Sequence, residues 1–224
     1  MIKPDQIIRS KRRTVALEIT HDARLVVRVP LRASLREIEK ILRGKELWIE
    51  RTHRRVKERF EKFPPKKFAD GEEFLFLGKS YKLSIVDDAP SLNALSFDGV
   101  FKLPQSRLGQ AQEMLIRWYR QEALKLIPER VRLFAEKSGY DCSDVRISNA
   151  KSRWGSCSRN GRLRFSWRVM MAPLEVIDYV VVHELAHLKE KNHGKAFWDR
   201  VGNILPTYEK QAAWLKDHQD LLKI

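Results

Sequence analysis

The sequence predicts an α+β protein in two parts. A β-rich N-terminal region with one basic helix occupies 1–105, and a helical core with one β-hairpin, the candidate catalytic domain, occupies 106–224. Three observations lead there. Short β-branched and apolar runs alternate with turn residues in the first part. From 106 onward the apolar residues recur at helical spacing. Between them these segments bracket one hairpin and one apolar helix, Asp178-Tyr-Val-Val-Val-His183-Glu184-Leu-Ala-His187-Leu188, with a further histidine at His193.

Taken in order, residues 5–30 read as strands, with Thr14–Thr20 and Leu25–Val29 joined by a turn at His21-Asp22. Arg9, Lys11, Arg12 and Arg13 form a basic cluster there. Ser34 followed by Glu37 has the pattern of a capping box, so a helix is expected to run from there to about Phe60, with Gly44 as a break. Its second half, Arg51 to Arg59, is strongly basic. Pro64-Pro65 ends it. Residues 72–104 read as a β-meander with turns at Gly78, Asp87-Asp88 and Asp98-Gly99. A long helix follows over 106–138, kinked or restarted at Pro128 and capped by Gly139. Val145–Asn149 and Leu163–Trp167 are expected to pair around Asn160-Gly161. The histidine helix comes next, then helices over 194–205 and 208–222 separated by Pro206.

Lys and Arg number 44 against 29 Asp and Glu, a net charge of +15. Such an excess suits an anionic partner, with non-specific nucleic acid as the candidate, or it solvates helix faces. Two cysteines, Cys142 and Cys157, do not make a disulfide framework. No apolar leader stands between Met1 and Val15, and no apolar run approaches the roughly 20 residues a membrane span needs. The expectation is a soluble cytoplasmic protein with no membrane partner.

The chemistry concentrates on the histidine helix. At helical spacing, His183 and His187 lie one turn apart on one face, from which two imidazoles can bind one metal ion. Glu184 lies on the adjacent flank, where it can take a proton from an activated water without being a ligand. Leu174, Ile177, Val181, Leu185 and Leu188 lie opposite, facing a core. His193 is the expected third ligand, with Glu190 and Asp199 as competitors for that place. Ordinary buried histidines, hydrogen-bonded and without metal, are the plainer alternative.

The string Ser152-Arg-Trp-Gly-Ser-Cys-Ser158, the hairpin, Ile177 to His187, Asn192-His193, Phe197-Trp198 and Leu205-Pro-Thr-Tyr208 resemble the YgjP-like family of zincin metallopeptidases. That family is similar in its small catalytic core to SprT-like and WLM proteases, which act on DNA-bound proteins, and more distantly to the gluzincins. The resemblance implies a zincin-like core, Zn²⁺ held by His183, His187 and His193, Glu184 as general base, and protein or peptide substrates. In metzincins, a better-known group, Gly occupies the position of Glu190. Here that Gly is absent, which leaves the end of the helix open; Asn192 could take the left-handed conformation that Gly supplies there.

Hydrolysis would also need a group to stabilise developing negative charge. Tyr208 is the candidate, with Arg153 behind it, although Tyr208 equally suits a packed aromatic at a helix start. The Ser152–Ser158 segment either touches substrate or packs through Trp154 and Cys157, and Phe197 and Trp198 read as core. Two other functions stay open. One is a nucleotide pyrophosphatase, although no Gly-rich phosphate loop is visible. The other is a nucleic-acid-binding protein with a structural metal, although structural zinc usually has four ligands.

Overall fold

The computed structural model describes residues 2–20, 22–88, 94–222 and 224. His21, half of an expected turn, lies outside the described residues. The chain divides into two compact units, Met1–Pro65 and Lys66–Ile224. The boundary therefore falls earlier than 105. Phe74, Leu83, Phe101 and Leu103, on strands expected to belong to the first part, share one core with Leu115, Tyr119 and Ile177. Apolar faces of those strands need a partner, and the long helix provides it.

In the first unit, β1 (Gln6–Ser10), β2 (Ala16–Ile19) and β3 (Leu25–Pro30) form a sheet in the order β1-β3-β2. β3 pairs in parallel with β1 and antiparallel with β2. Leu25, Val27 and Val29 alternate onto one face, where they meet Ile38 and Leu42 of α1 (Leu35–Gly44) and Ile49 of α2 (Glu46–Lys62). Ser34 and Glu37 form the expected capping box, and the helix breaks at Lys45, beside Gly44. Arg9 donates to the carbonyls of Leu31 and Ala33, which ties β1 to the entry of α1.

In the second unit, β4 (Glu73–Phe76), β5 (Lys79–Val86), β6 (Ser96–Phe97) and β7 (Phe101–Pro104) form a sheet in the order β4-β5-β7-β6. This is not the expected meander, because β5 pairs in parallel with β7 and β6 is left at the edge. Asp98-Gly99 does make the β6–β7 turn, with Gly99 at φ 93°. A 3-10 turn leads into α3 (Ala111–Ser138), which runs unbroken through Pro128 and ends on Gly139 in the left-handed conformation. Tyr119 of α3 donates its hydroxyl to the Leu75 carbonyl and stacks on Trp167 at 5.6 Å.

The second sheet of this unit holds β8 (Asp144–Ser148), β9 (Gly155–Cys157) and β10 (Arg162–Ser166) in the order β8-β10-β9. Asn160-Gly161 turns the chain between β9 and β10, whereas β8 and β10 run parallel. The expected partner of β10 was β8 alone. β9 is three residues of Gly, Ser and Cys, without the apolar alternation that marks a strand in sequence. A 3-10 turn, Trp167–Met171, then delivers the chain to α4 (Leu174–Ala186). The β4–β5 turn docks on it: Leu77 and Gly78 donate backbone N–H groups to Met170 and Met171. A Cβ on Gly78 would stand 2.7 Å from Pro173, at the N-terminus of α4. The unit closes with α5 (Lys195–Ile204) and α6 (Tyr208–His218). Among the described residues no helix is long and apolar enough to cross a membrane.

Candidate metal centre

α4 is buried nearly all round. Val176 to Val182, Leu185 and Ala186 lie in the core, and Glu184 is only 6% exposed. His183 and His187 are the partly exposed positions of its second half. The helix is held to α3 by a bidentate pair in which Arg130 Nε and Nη2 donate to the two Asp178 oxygens at 2.6 and 2.7 Å. Asp178 precedes His183 on the same helix, so this pair sets the axial position of the histidines against the core.

The helix ends at His187. The backbone N–H groups of Leu188, Lys189 and Glu190 bond back to Leu185 and Ala186, curling the chain under the helix end. Asn192 is not among the residues with positive φ, so no left-handed residue is needed there. The turn is instead fastened by Lys191 Nζ, which donates to the His187 carbonyl at 2.7 Å. Glu190 accepts from Arg200 at 3.2 Å and does not join the histidines; neither does Asp199.

The turn brings His193 back over the other two. Its Nε2 lies 3.0 Å from that of His183 and 3.1 Å from that of His187. The donor atoms of His183, His187 and His193 all lie within 4.8 Å of one another. Tetrahedral bonds of about 2.0–2.1 Å would separate neighbouring ligand atoms by roughly 3.3 Å. His187 Nδ1 lies 2.8 Å from the Glu190 carbonyl, so it carries the proton and leaves Nε2 as an acceptor turned to the cluster. Burial, then the neighbouring His187 and His193, pulls His183 down to about 4, and burial also lowers His187. Both are therefore neutral at pH 7, the form in which imidazole ligates. Three imidazole nitrogens converging on one point fit a divalent cation of the zinc type.

Phe197 of α5, fully buried, supports all three rings at 4.6–4.9 Å. Trp198 borders His183 and His193 at 5.9 Å and stacks on Tyr208 at 5.4 Å with an interplanar angle of 14°. The reading of Phe197 as core therefore holds, but the core there is the floor of the site.

Glu184 points from α4 toward β9. Burial raises its carboxyl to about 7, and the opposing pull comes from the Arg153 guanidinium. Its Oε2 is buried and meets no hydrogen-bond donor among the described residues. A Cβ on Gly155 would stand 2.5 Å from Glu184 Cγ and 2.6 Å from Oε1, so only glycine leaves room for this carboxylate. Arg153 is exposed, and its charge reaches Glu184. Tyr208 is placed at the first turn of α6 against Trp198 rather than shown on the carboxylate.

Two residues of the site, Gly155 and Tyr179, have no role in the sequence reading. Tyr179 lies one turn before His183, with rings 5.8 Å apart, and burial raises its phenol, with Tyr208 and Glu184 adding to the effect. Its place four residues before His183 was the available signal.

The chain matches the YgjP-like metallopeptidase domain over residues 13–218. It belongs to that family. Within a family of metallopeptidases, a divalent metal is the implied cofactor, and the histidine cluster is where this chain can hold one. A UTP pyrophosphatase of Escherichia coli K12 is 49% identical over 39 residues, which cover 17% of this chain and 23% of that protein's length. Among solved structures, the metallopeptidase zymogen abylysin of Pyrococcus abyssi aligns at TM-score 0.39 and 24% identity. Jannalysin of Methanocaldococcus jannaschii, another metallopeptidase zymogen, aligns at TM-score 0.37 and 28% identity. Each alignment covers 42% of this chain and 96% of the other.

Proposed function

We propose that the protein is a zinc-dependent peptidase, with His183, His187 and His193 as the metal ligands and Glu184 as the general base. The observation that carries this reading is Glu184, a carboxyl raised to about 7, with one oxygen unpartnered, beside three converging imidazoles. Zinc bound there would supply a water of lowered pKa and polarise the scissile carbonyl. Glu184 accepts the water's proton at its free oxygen and returns it to the departing amine. A carboxyl poised near pH 7 can do both, which one at its ordinary 4.5 does less well. Arg153, whose charge reaches Glu184, draws the substrate carbonyl's developing charge. Tyr179 and Tyr208 are the candidate hydroxyl donors to the same charge. Protein or peptide is the substrate class that the family supports.

A second reading, hydrolysis of a nucleoside triphosphate, has its own support. The similarity to a UTP pyrophosphatase is one part, and two cations, Arg153 acting on Glu184 and Lys191 on the His187 carbonyl, are the other. One experiment separates them. Zinc-loaded protein and Glu184→Gln are incubated separately with an unfolded protein and with UTP. The peptidase reading expects new amino termini from wild type and a loss on the order of 10²-fold or more in the variant. Release of pyrophosphate with no cleavage of any polypeptide would replace it by the second reading.

A further inference from the structure

The first unit carries 18 Lys and Arg against 9 Asp and Glu, so more than half of the net charge of the chain sits on residues 1–65. On α2 that charge is sorted by face. At about 3.6 residues per turn, Ile49, Thr52, Val56 and Phe60 share the side turned inward, and Ile49 joins the unit's core. On the outward side, Arg51, Arg54, Arg55, Arg59 and Lys62 fall within one stripe, with Glu58 the only acid among them. Glu50 and Glu61 are set apart on the other flank, together with Lys57. Among the described residues, Arg51, Arg54 and Arg55 have no carboxylate within ion-pair distance. At the head of the stripe Trp48 is 45% exposed, one turn before Arg51 and two before Arg55.

We propose that this face of α2 binds single-stranded nucleic acid, with the arginines on the phosphates and Trp48 stacked on an unpaired base. An indole left open to water beside a row of guanidinium groups matches the two chemistries of a single strand, its anionic backbone and its exposed π faces. A membrane surface fits less well. An interfacial helix needs an apolar face along its length, whereas here the outward apolar residues are Leu47 and Trp48, at one end only. A duplex would use the arginines and leave the indole idle. With the arginines on phosphates and the indole on a base face, neither contact reads a base edge, so binding is independent of sequence.

The test uses the full chain and a fluorescently labelled oligothymidylate of about 20 nucleotides, a length beyond the roughly 4–16 of a typical single-strand site. Affinity should fall steeply between roughly 50 and 200 mM salt, with a log–log slope near −3.5 if all five cations meet phosphates, at about −0.7 each. The triple variant Arg51→Gln, Arg54→Gln, Arg55→Gln should make the slope shallower by about 2. Lys57→Gln, on the acidic flank, should leave it unchanged. Trp48→Ala should weaken binding roughly 5- to 100-fold with the slope retained. All these positions are exposed, and circular dichroism checks that the helix persists. An unchanged slope in the triple variant overturns the proposal. So does equal affinity for duplex with no effect of Trp48→Ala, or binding to anionic phosphatidylserine vesicles without binding to the oligonucleotide.

Discussion

Glu184→Gln should stabilise the metal-free protein, and only above the pH at which a free glutamate ionises. Burial holds the folded carboxyl at about 7 against an ordinary value of 4.5. Below 4.5 the side chain is neutral in both states and the native fold bears no penalty. Between 4.5 and 7 the unfolded chain gives up its proton while the folded one keeps it, so stability falls as pH rises. Above 7 the full difference is reached, about 3 kcal/mol at 1.36 kcal/mol per pH unit. Glutamine has nearly the same shape and never ionises, so it escapes the penalty. His183 acts in the opposite sense: pulled down to about 4, it weakens the fold as pH falls from 6.5. That contribution is present in both proteins and cancels in their difference. The assay is urea unfolding in a chelator at pH 4, 6 and 8. The variant should match wild type at pH 4 and exceed it by about 3 kcal/mol at pH 8. A gap that stays constant across the three pH values would refute the assignment of a desolvated carboxyl, and with it the physical basis for Glu184 as a base poised near neutrality.

Two further outcomes follow from the geometry around it. Gly155→Ala puts a methyl group within 2.6 Å of the Glu184 carboxylate, so it should destabilise the fold by about 1–3 kcal/mol and impair hydrolysis while zinc binding, read by metal analysis, survives. Arg130→Ala strands a buried Asp178 and should cost about 3–5 kcal/mol in denaturant unfolding, whereas replacing both partners by apolar residues should be close to neutral.

The legible parts of this chain were those whose signal is local. The capping box at Ser34, the left-handed Gly139, the helix from Leu174 and the spacing of His183 and His187 depend on neighbours a few residues apart. That is the range over which a backbone can report its own preference. Pairing order was not legible: β5 lies beside β7 rather than β6, and β10 beside both β8 and β9. A short strand offers the same hydrogen bonds to any neighbour, and packing against α3 selects among them. The boundary at Pro65 escaped for the same reason, since short strands stand on both sides of it and only the shared core with α3 assigns the later ones to the second unit.

The site divides along the same line. The sequence by itself determined the placement of His183, His187 and Glu184, because helical periodicity puts the two imidazoles on one face and the carboxylate on the adjoining one. Tertiary structure alone decided the rest. It brought His193 back to within 3.1 Å of the pair and turned Glu190 away to Arg200. It also laid β9 against α4, so that a glycine distant in sequence became the wall of the Glu184 pocket. A carboxyl's proton affinity is set by what excludes water from it, and that is a property of the closed fold.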